Sequence, residues 1–139
     1  MFEYSTNIRV RYAETDQMGF VYYGNYARYY EIGRVEALRS LGIAYKDLEA
    51  QGIWMPVLEN YSKYIKPAYY DDLLTLKVVI KEKPGTRIRF DYEIYNPEGS
   101  LIHIGHTVLV FLSASTLKIV PFPEFIQSAL QGFFEKRSE

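Results

Sequence analysis

Eighteen residues near the start of this chain carry one long helical pattern, and that pattern limits the folds open to it. From Asn25 to Gly42, the residues Tyr26, Tyr29, Tyr30, Gly33, Ala37, Leu38 and Leu41 recur every three or four positions. This spacing lines side chains along one face of an α-helix. Asn25 stands at the N-cap and Gly42 at the C′ position, which allows about four and a half turns. Ile32 and Val35 widen the apolar stripe, so the helix is expected to pack against more than one wall. A shorter helix is expected over Tyr45–Gln51, stopped by Gly52, and a terminal one over Phe125–Phe134, after Pro121 and Pro123.

Between these helices the period changes to two. Leu74, Leu76, Val78 and Ile80 share a face against Thr75, Lys77 and Lys81, and Ile88, Phe90, Tyr92 and Ile94 alternate with Arg87, Arg89, Asp91 and Glu93. Pro84-Gly85 and Asn96-Pro97-Glu98-Gly99 supply the turns. Glu3–Tyr12 reads as a first strand, with Ile8, Val10 and Tyr12 facing one way and Arg9 and Arg11 the other. Val57–Ile65 is a further candidate, bounded by Pro56 and Pro67. Leu101–Leu112 is apolar on both faces, as in a central strand or one that pairs with another subunit. Either of its histidines reads as a satisfied sheet residue, and His106, on the face of Ile104 and Val108, could be buried. Thr116–Val120 reads as a last short strand. Consecutive strands with short links form an antiparallel sheet, and the long apolar helix must lie on it. The class is α+β, in one domain over residues 1–139.

Composition removes several functions. A net charge of −1 lacks the basic excess of a dedicated nucleic-acid binder. Without cysteine there are no disulfides, thiolate nucleophiles or cysteine-based metal sites. The two histidines, three residues apart on a strand, point to opposite faces, so no metal is expected. The first ten residues have neither the basic nor the apolar region of a signal peptide, and no apolar run is long enough to span a membrane. A cytoplasmic location is expected. The 14 tyrosines suit strands, and also half-wet interfaces and pocket walls.

The remaining chemistry lies in carboxylates. Serine-elbow and phosphate-loop motifs are absent. Asp71 and Asp72 open a strand and read as turn residues, while Glu31 falls on the helix and is a rival for a catalytic base. Asp16 combines a turn, a nearby helix N-terminus and aromatic neighbours. It can bind or polarise a substrate there, or simply form the turn. As an ionised carboxylate it would act as nucleophile or general base.

The run RYAETDQMGFVYYGNYARYYEIGRVE resembles the hot-dog-fold thioesterases, of the 4-hydroxybenzoyl-CoA thioesterase and YbgC-like group. The pattern R-x-x-x-x-D-x-x-G-x-V-[YW]-[HY]-x-N-Y is matched from Arg11 through Asp16, Gly19, Val21, Tyr22, Tyr23 and Asn25 to Tyr26. YIKPAYYDDLL, PGTRIRFDYEIYN and GHTVLVFLSASTLKIVPFP resemble later segments of the family, so the likeness runs along nearly the whole chain. It implies a hot-dog fold, with a curved antiparallel sheet of five to six strands wrapped around one long helix. It further implies a homodimer or homotetramer with active sites at the dimer interface, hydrolysing acyl-CoA without cofactor. Asp16 would be the catalytic carboxylate and the Tyr23 backbone N–H the oxyanion donor. Gly19, Val21, Tyr22, Gly24, Asn25 and Tyr26 would contact substrate, and Arg87, Arg89 and Lys118 would hold the CoA phosphates or else belong to solvated faces. Many YbgC-like members carry histidine at the position of Tyr23. The same site could serve an acyl chain held by a carrier protein, or bind acyl-CoA without chemistry.

Overall fold

The structure, a computed structural model, describes residues 1–134; residues 135–139 of the expected domain lie outside the described part. Five strands form an antiparallel sheet: β1 (Phe2–Arg9), β3 (Val57–Tyr64), β4 (Leu73–Ile80), β5 (Arg87–Tyr95) and β6 (Leu101–Val110). Their order is β1-β4-β5-β6-β3. A two-stranded sheet joins β2 (Ile53–Trp54) to β7 (Leu112–Ser113). The helices are α1 (Tyr26–Ser40), α2 (Tyr45–Ala50) and α3 (Glu124–Phe134).

The period-two residues do what their spacing requires. Leu74, Leu76, Val78 and Ile80 of β4 are fully buried, as are Phe90 of β5 and its neighbours Ile88, Tyr92 and Ile94 to within 1%. They face the buried stripe of α1: Tyr26, Tyr29, Tyr30, Gly33, Ala37 and Leu38. The helix backbone lies directly on the sheet at Gly33. A Cβ there would come within 2.6 Å of Leu76 Cδ2 and 2.8 Å of Val78 Cγ2. Gly105 of β6 performs the matching service on the sheet side, since a Cβ would collide with the Tyr30 hydroxyl and approach the Tyr61 carbonyl oxygen to 2.6 Å.

Polar side chains inside this layer bond to one another, although Arg34 Nε and His103 Nδ1 have no partner among the described residues. Arg34, 7% exposed, donates from Nη1 to the Tyr92 hydroxyl at 3.2 Å and Thr107 Oγ1 at 3.5 Å. His103 is fully buried. Its Nε2 shares a hydrogen bond with the Tyr30 hydroxyl, which lies 2.6 Å from Ser62 Oγ. Nδ1 has no partner among the described residues. Burial makes the charged imidazolium unfavourable and pushes the His103 pKa down to about 4.

Several expectations need correction. The first strand ends at Arg9. Tyr12 stands in a single 3-10 turn (Tyr12–Glu14) and is 78% exposed, although Val10 stays buried. The reason is local: Arg11 N–H donates to the Glu14 carboxylate at 2.8 Å, folding the chain out of the ladder. Thr116–Val120 forms a turn with one isolated bridge, Leu112–Ile119, so the short strand there is β7 instead. Of the two histidines it is His103 that is buried on the helix side, because Gly105, Thr107 and Leu109 share its face; His106 is only partly covered. Of the two readings of Leu101–Leu112 the central strand holds: β6 has neighbours on both sides, and the edges of the sheet are β1 and β3. Ile32, on the widened stripe of α1, remains 37% exposed.

The ends of α1 are built from different devices. At the C-terminus Gly42 takes a φ of +81°. Gly42 N–H donates to the Arg39 carbonyl and Ile43 N–H to the Leu38 carbonyl, each at 2.9 Å, which is the Schellman pattern. At the N-terminus the helix continues a 3-10 turn, Tyr23–Asn25, and Asn25 does not cap it. Its Nδ2 reaches back to donate to the Glu14 carbonyl at 2.8 Å. Removing that bond in Asn25→Ala should cost about 1 kcal/mol in urea unfolding. Asn25→Ser, which would serve equally well as an N-cap, should not recover it. A second expectation concerns pH. An unfolded histidine binds its proton near pH 6.5 and folded His103 near 4, so between these values the unfolded chain holds more protons and stability falls as pH is lowered. His103→Phe should flatten this dependence, read as a smaller drop in urea midpoint from pH 7 to pH 5 than the parent shows.

Candidate active site

The loop between β1 and α1 is closed on itself by main-chain bonds. Asp16 N–H donates to the Phe20 carbonyl at 2.7 Å, and Gly19 N–H to the Asp16 carbonyl at 3.0 Å. Gly19 sits at φ +82°, a conformation that glycine takes without a Cβ clash. One carboxylate oxygen of Asp16, Oδ1, accepts the N–H groups of Met18 at 2.9 Å and Phe20 at 3.2 Å. Asp16 is thus a turn-former of the Asx kind. Its other oxygen, Oδ2, makes no hydrogen bond among the described residues, and the residue is only partly buried.

The far side of the loop is pinned to the same frame. Thr15 and Val21 form an isolated bridge. Val21 N–H donates to the Ala68 carbonyl at 2.8 Å, and Tyr22 N–H to the Glu14 carbonyl at 2.9 Å. Next comes the 3-10 turn. Tyr23 and Gly24 are its first residues, so their N–H groups have no acceptor one turn back, at the positive end of the helix that follows. The loop therefore carries a carboxylate and two backbone donors that have no acceptor among the described residues.

Aromatic side chains surround this loop. Tyr22 and Tyr23 are 47% and 65% exposed, with ring centroids 4.6 Å apart. A Cβ on Gly24 would lie 2.9 Å from Tyr22 Cε1, so this glycine makes room for the Tyr22 ring. Val21 and Tyr26 are buried. They join Phe20, Tyr64, Ile65, Lys66 and Pro67 in lining a hollow that opens toward the free edge of β3.

Asp16, Gly19, Val21, Tyr22, Tyr23, Gly24, Asn25 and Tyr26 thus belong to one loop and its helix start. The three candidate cations do not join them within a protomer. Arg87 pairs with Val110, at the end of the sheet where β3 begins, whereas the hollow lies where β3 ends. Arg89 is engaged by Asp91 at 3.1 Å, and Lys118 follows β7 at the Arg87 end. Glu31 is exposed on the helix flank.

Two residues of this region escaped the sequence reading. Glu14 holds the loop together: its carboxylate accepts the Tyr29 hydroxyl at 3.1 Å and the Arg11 N–H, and its carbonyl accepts Tyr22 and Asn25. The spacing of Arg11 and Glu14 was the available signal. His103 stacks face to face on Tyr26, with centroids 4.1 Å apart and planes 4° from parallel. Nothing in the β6 pattern, apolar on both faces, singled it out.

Comparison with known proteins gives one answer. The sequence profile of the Thioesterase-like superfamily matches residues 10–130. YneP of Bacillus subtilis is 42% identical over 94 residues, 68% of each chain. The acyl-CoA thioester hydrolase YbgC of Escherichia coli is 30% identical over 119 residues, 86% of this chain and 89% of its own. Among solved structures, a DHNA-CoA thioesterase from Staphylococcus aureus superposes with a TM-score of 0.88 at 33% identity, covering 99% of this chain and 98% of the other. Its loop, helix and five-stranded sheet make this chain a member of the hot-dog Thioesterase-like superfamily.

Proposed function

We propose that this protein is an acyl-CoA thioesterase that hydrolyses its substrate at the Asp16 loop. The observation that carries the reading is the division of labour within one carboxylate. Oδ1 is spent on the turn, which leaves Oδ2 without a hydrogen bond among the described residues, on the same loop that runs into the 3-10 turn and its leading N–H groups. The thioester carbonyl oxygen would accept the Tyr23 N–H, which stabilises the negative charge that builds as the carbonyl carbon is attacked. Asp16 would either take a proton from the attacking water or itself form an acyl anhydride that water then opens. In both cases the C–S bond breaks, CoA leaves as thiolate and takes up a proton, and the free acid remains. Gly19, Val21, Tyr22, Gly24, Asn25 and Tyr26 form the surroundings of the acyl group, in a cytoplasmic enzyme.

The site is completed by a second copy. β3 is an open edge, and residues of both its faces are exposed: Leu58 and Tyr64, and also Glu59, Tyr61 and Lys63. Pairing two β3 strands antiparallel about a two-fold axis sets the start of one against the end of the other. The Arg87 and Lys118 end of one protomer then comes to the hollow of its partner. Arg87, Arg89 and Lys118, distant from Asp16 in a single chain, would in this way reach the phosphates of CoA.

Asp16→Asn keeps the oxygen that accepts the Met18 and Phe20 N–H groups, so fold and assembly should survive. kcat should nevertheless fall on the order of a hundredfold or more, followed as release of free CoA from a panel of acyl-CoAs. Turnover equal to the parent would remove Asp16 from the mechanism. Sedimentation should give a dimer or tetramer, and a fully active monomer would contradict the shared site.

A further inference from the structure

We propose that His103 is a positioning residue for substrate binding: its flat ring, buried in the sheet, fixes the orientation of the Tyr26 ring that lines the hollow. The inference rests on the placement of the site just given and adds a residue on β6, three strands across the sheet from the β1 strand that leads into the loop.

Tyr26 is the first residue of α1 and is 3% exposed. It has one face against His103 at 4.1 Å and 4°. The Tyr29 and Tyr64 rings meet it edge-on, at centroid distances of 5.7 and 5.4 Å. The parallel face of His103 sets the tilt of the Tyr26 ring and its position along the ring normal, which neither edge-on neighbour does alone. His103 is itself held from its other side. Tyr30 holds its Nε2, Ser62 holds the Tyr30 hydroxyl at 2.6 Å, and the Tyr30 ring lies flat on Tyr92 at 4.2 Å and 6°. Tyr92 belongs to β5 and is anchored by Thr107 Oγ1 at 2.6 Å. A continuous column of rings thus runs from the middle of the sheet to the wall of the hollow. Gly105 is what admits it, since a side chain there would occupy the place of the Tyr30 hydroxyl. Proton transfer by His103 has no support in this geometry, because neither ring nitrogen is engaged with the Asp16 loop.

The consequence is a split between shape and polarity. His103→Phe keeps a flat face against Tyr26 and gives up the bond to Tyr30, whose hydroxyl still has Ser62. His103→Leu gives up the same bond and has similar apolar bulk, but offers no flat face. We expect His103→Leu to raise KM about tenfold with kcat within about threefold of the parent, and His103→Phe to hold KM within about threefold. The substrates are butanoyl-, hexanoyl- and benzoyl-CoA, with free CoA as readout, and the urea midpoints of both variants are measured alongside. A fold defect alone would reduce the amount of active protein, and so apparent kcat, and would leave KM unchanged. Equal KM in the two variants, whether raised or at the parent value, would overturn the role of the flat ring. Asp16→Asn assayed in parallel separates the two levels. If it is inactive while both His103 variants match the parent, the positioning role alone fails; if it is as active as the parent, the placement of the site fails with it.

Discussion

The approach of α1 to the sheet is the constraint from which most of this structure follows. At Gly33 the helix has no side chain to hold it off, and Leu76 and Val78 fill the space a Cβ would take. Toward its N-terminal end the buried residues of α1 are flat rings that lie against rings of the sheet, Tyr26 over His103 and Tyr30 over Tyr92, while Leu38 packs among the aliphatic side chains further along. Each parallel or edge-on aromatic pair contributes about 0.5–1.5 kcal/mol beyond the area it buries. Their hydroxyls must also be satisfied inside, which explains why Ser62, Thr107 and Arg34 lie among them.

Most of the architecture was legible in the sequence because the two periods do not interfere. The β4 and β5 faces are legible residue by residue, and so is most of the buried stripe of α1, Arg34 excepted on the buried side and Leu41 and Ile32 on the other. Legibility failed where a side chain satisfies the backbone of another segment. Nothing in the spacing of Asn25 distinguishes a helix cap from a donor to Glu14, eleven residues earlier. Tyr12 continues the alternation of β1, yet a single bond from Arg11 N–H to the Glu14 carboxylate turns the chain away. The pattern of β6, apolar on both faces, had two explanations, and the strand order chose the interior one and left β1 and β3 as the edges.

The same distinction applies to the candidate site. The loop residues are contiguous, so their proximity was visible in the sequence. Asp16 had been open to two readings, turn-former and catalyst, and the geometry makes them compatible, since the carboxylate has two oxygens and the turn uses one. What could not be read was the support behind the loop. His103 is far from Tyr26 in the chain, and only the β5–β6–β3 register brings it under that ring.

The two borders of the sheet differ in character, and this bears on how copies can join. Along β1 the outward face is polar, with Glu3, Ser5, Asn7 and Arg9 exposed, and its inward residues lie under the helix layer. β3 carries a bulge between Val57 and Glu59 and exposes apolar and aromatic groups at both ends. Joining the β1 border of one copy to the β3 border of the next would propagate without limit, as any head-to-tail sheet does. The mismatch between a straight, polar border and a kinked, greasy one works against that open fibre. Like-to-like union of the β3 borders, as in the proposed dimer, would consume the more apolar side and terminate growth, and the irregularity of that one strand would then act as a stop signal for polymerisation.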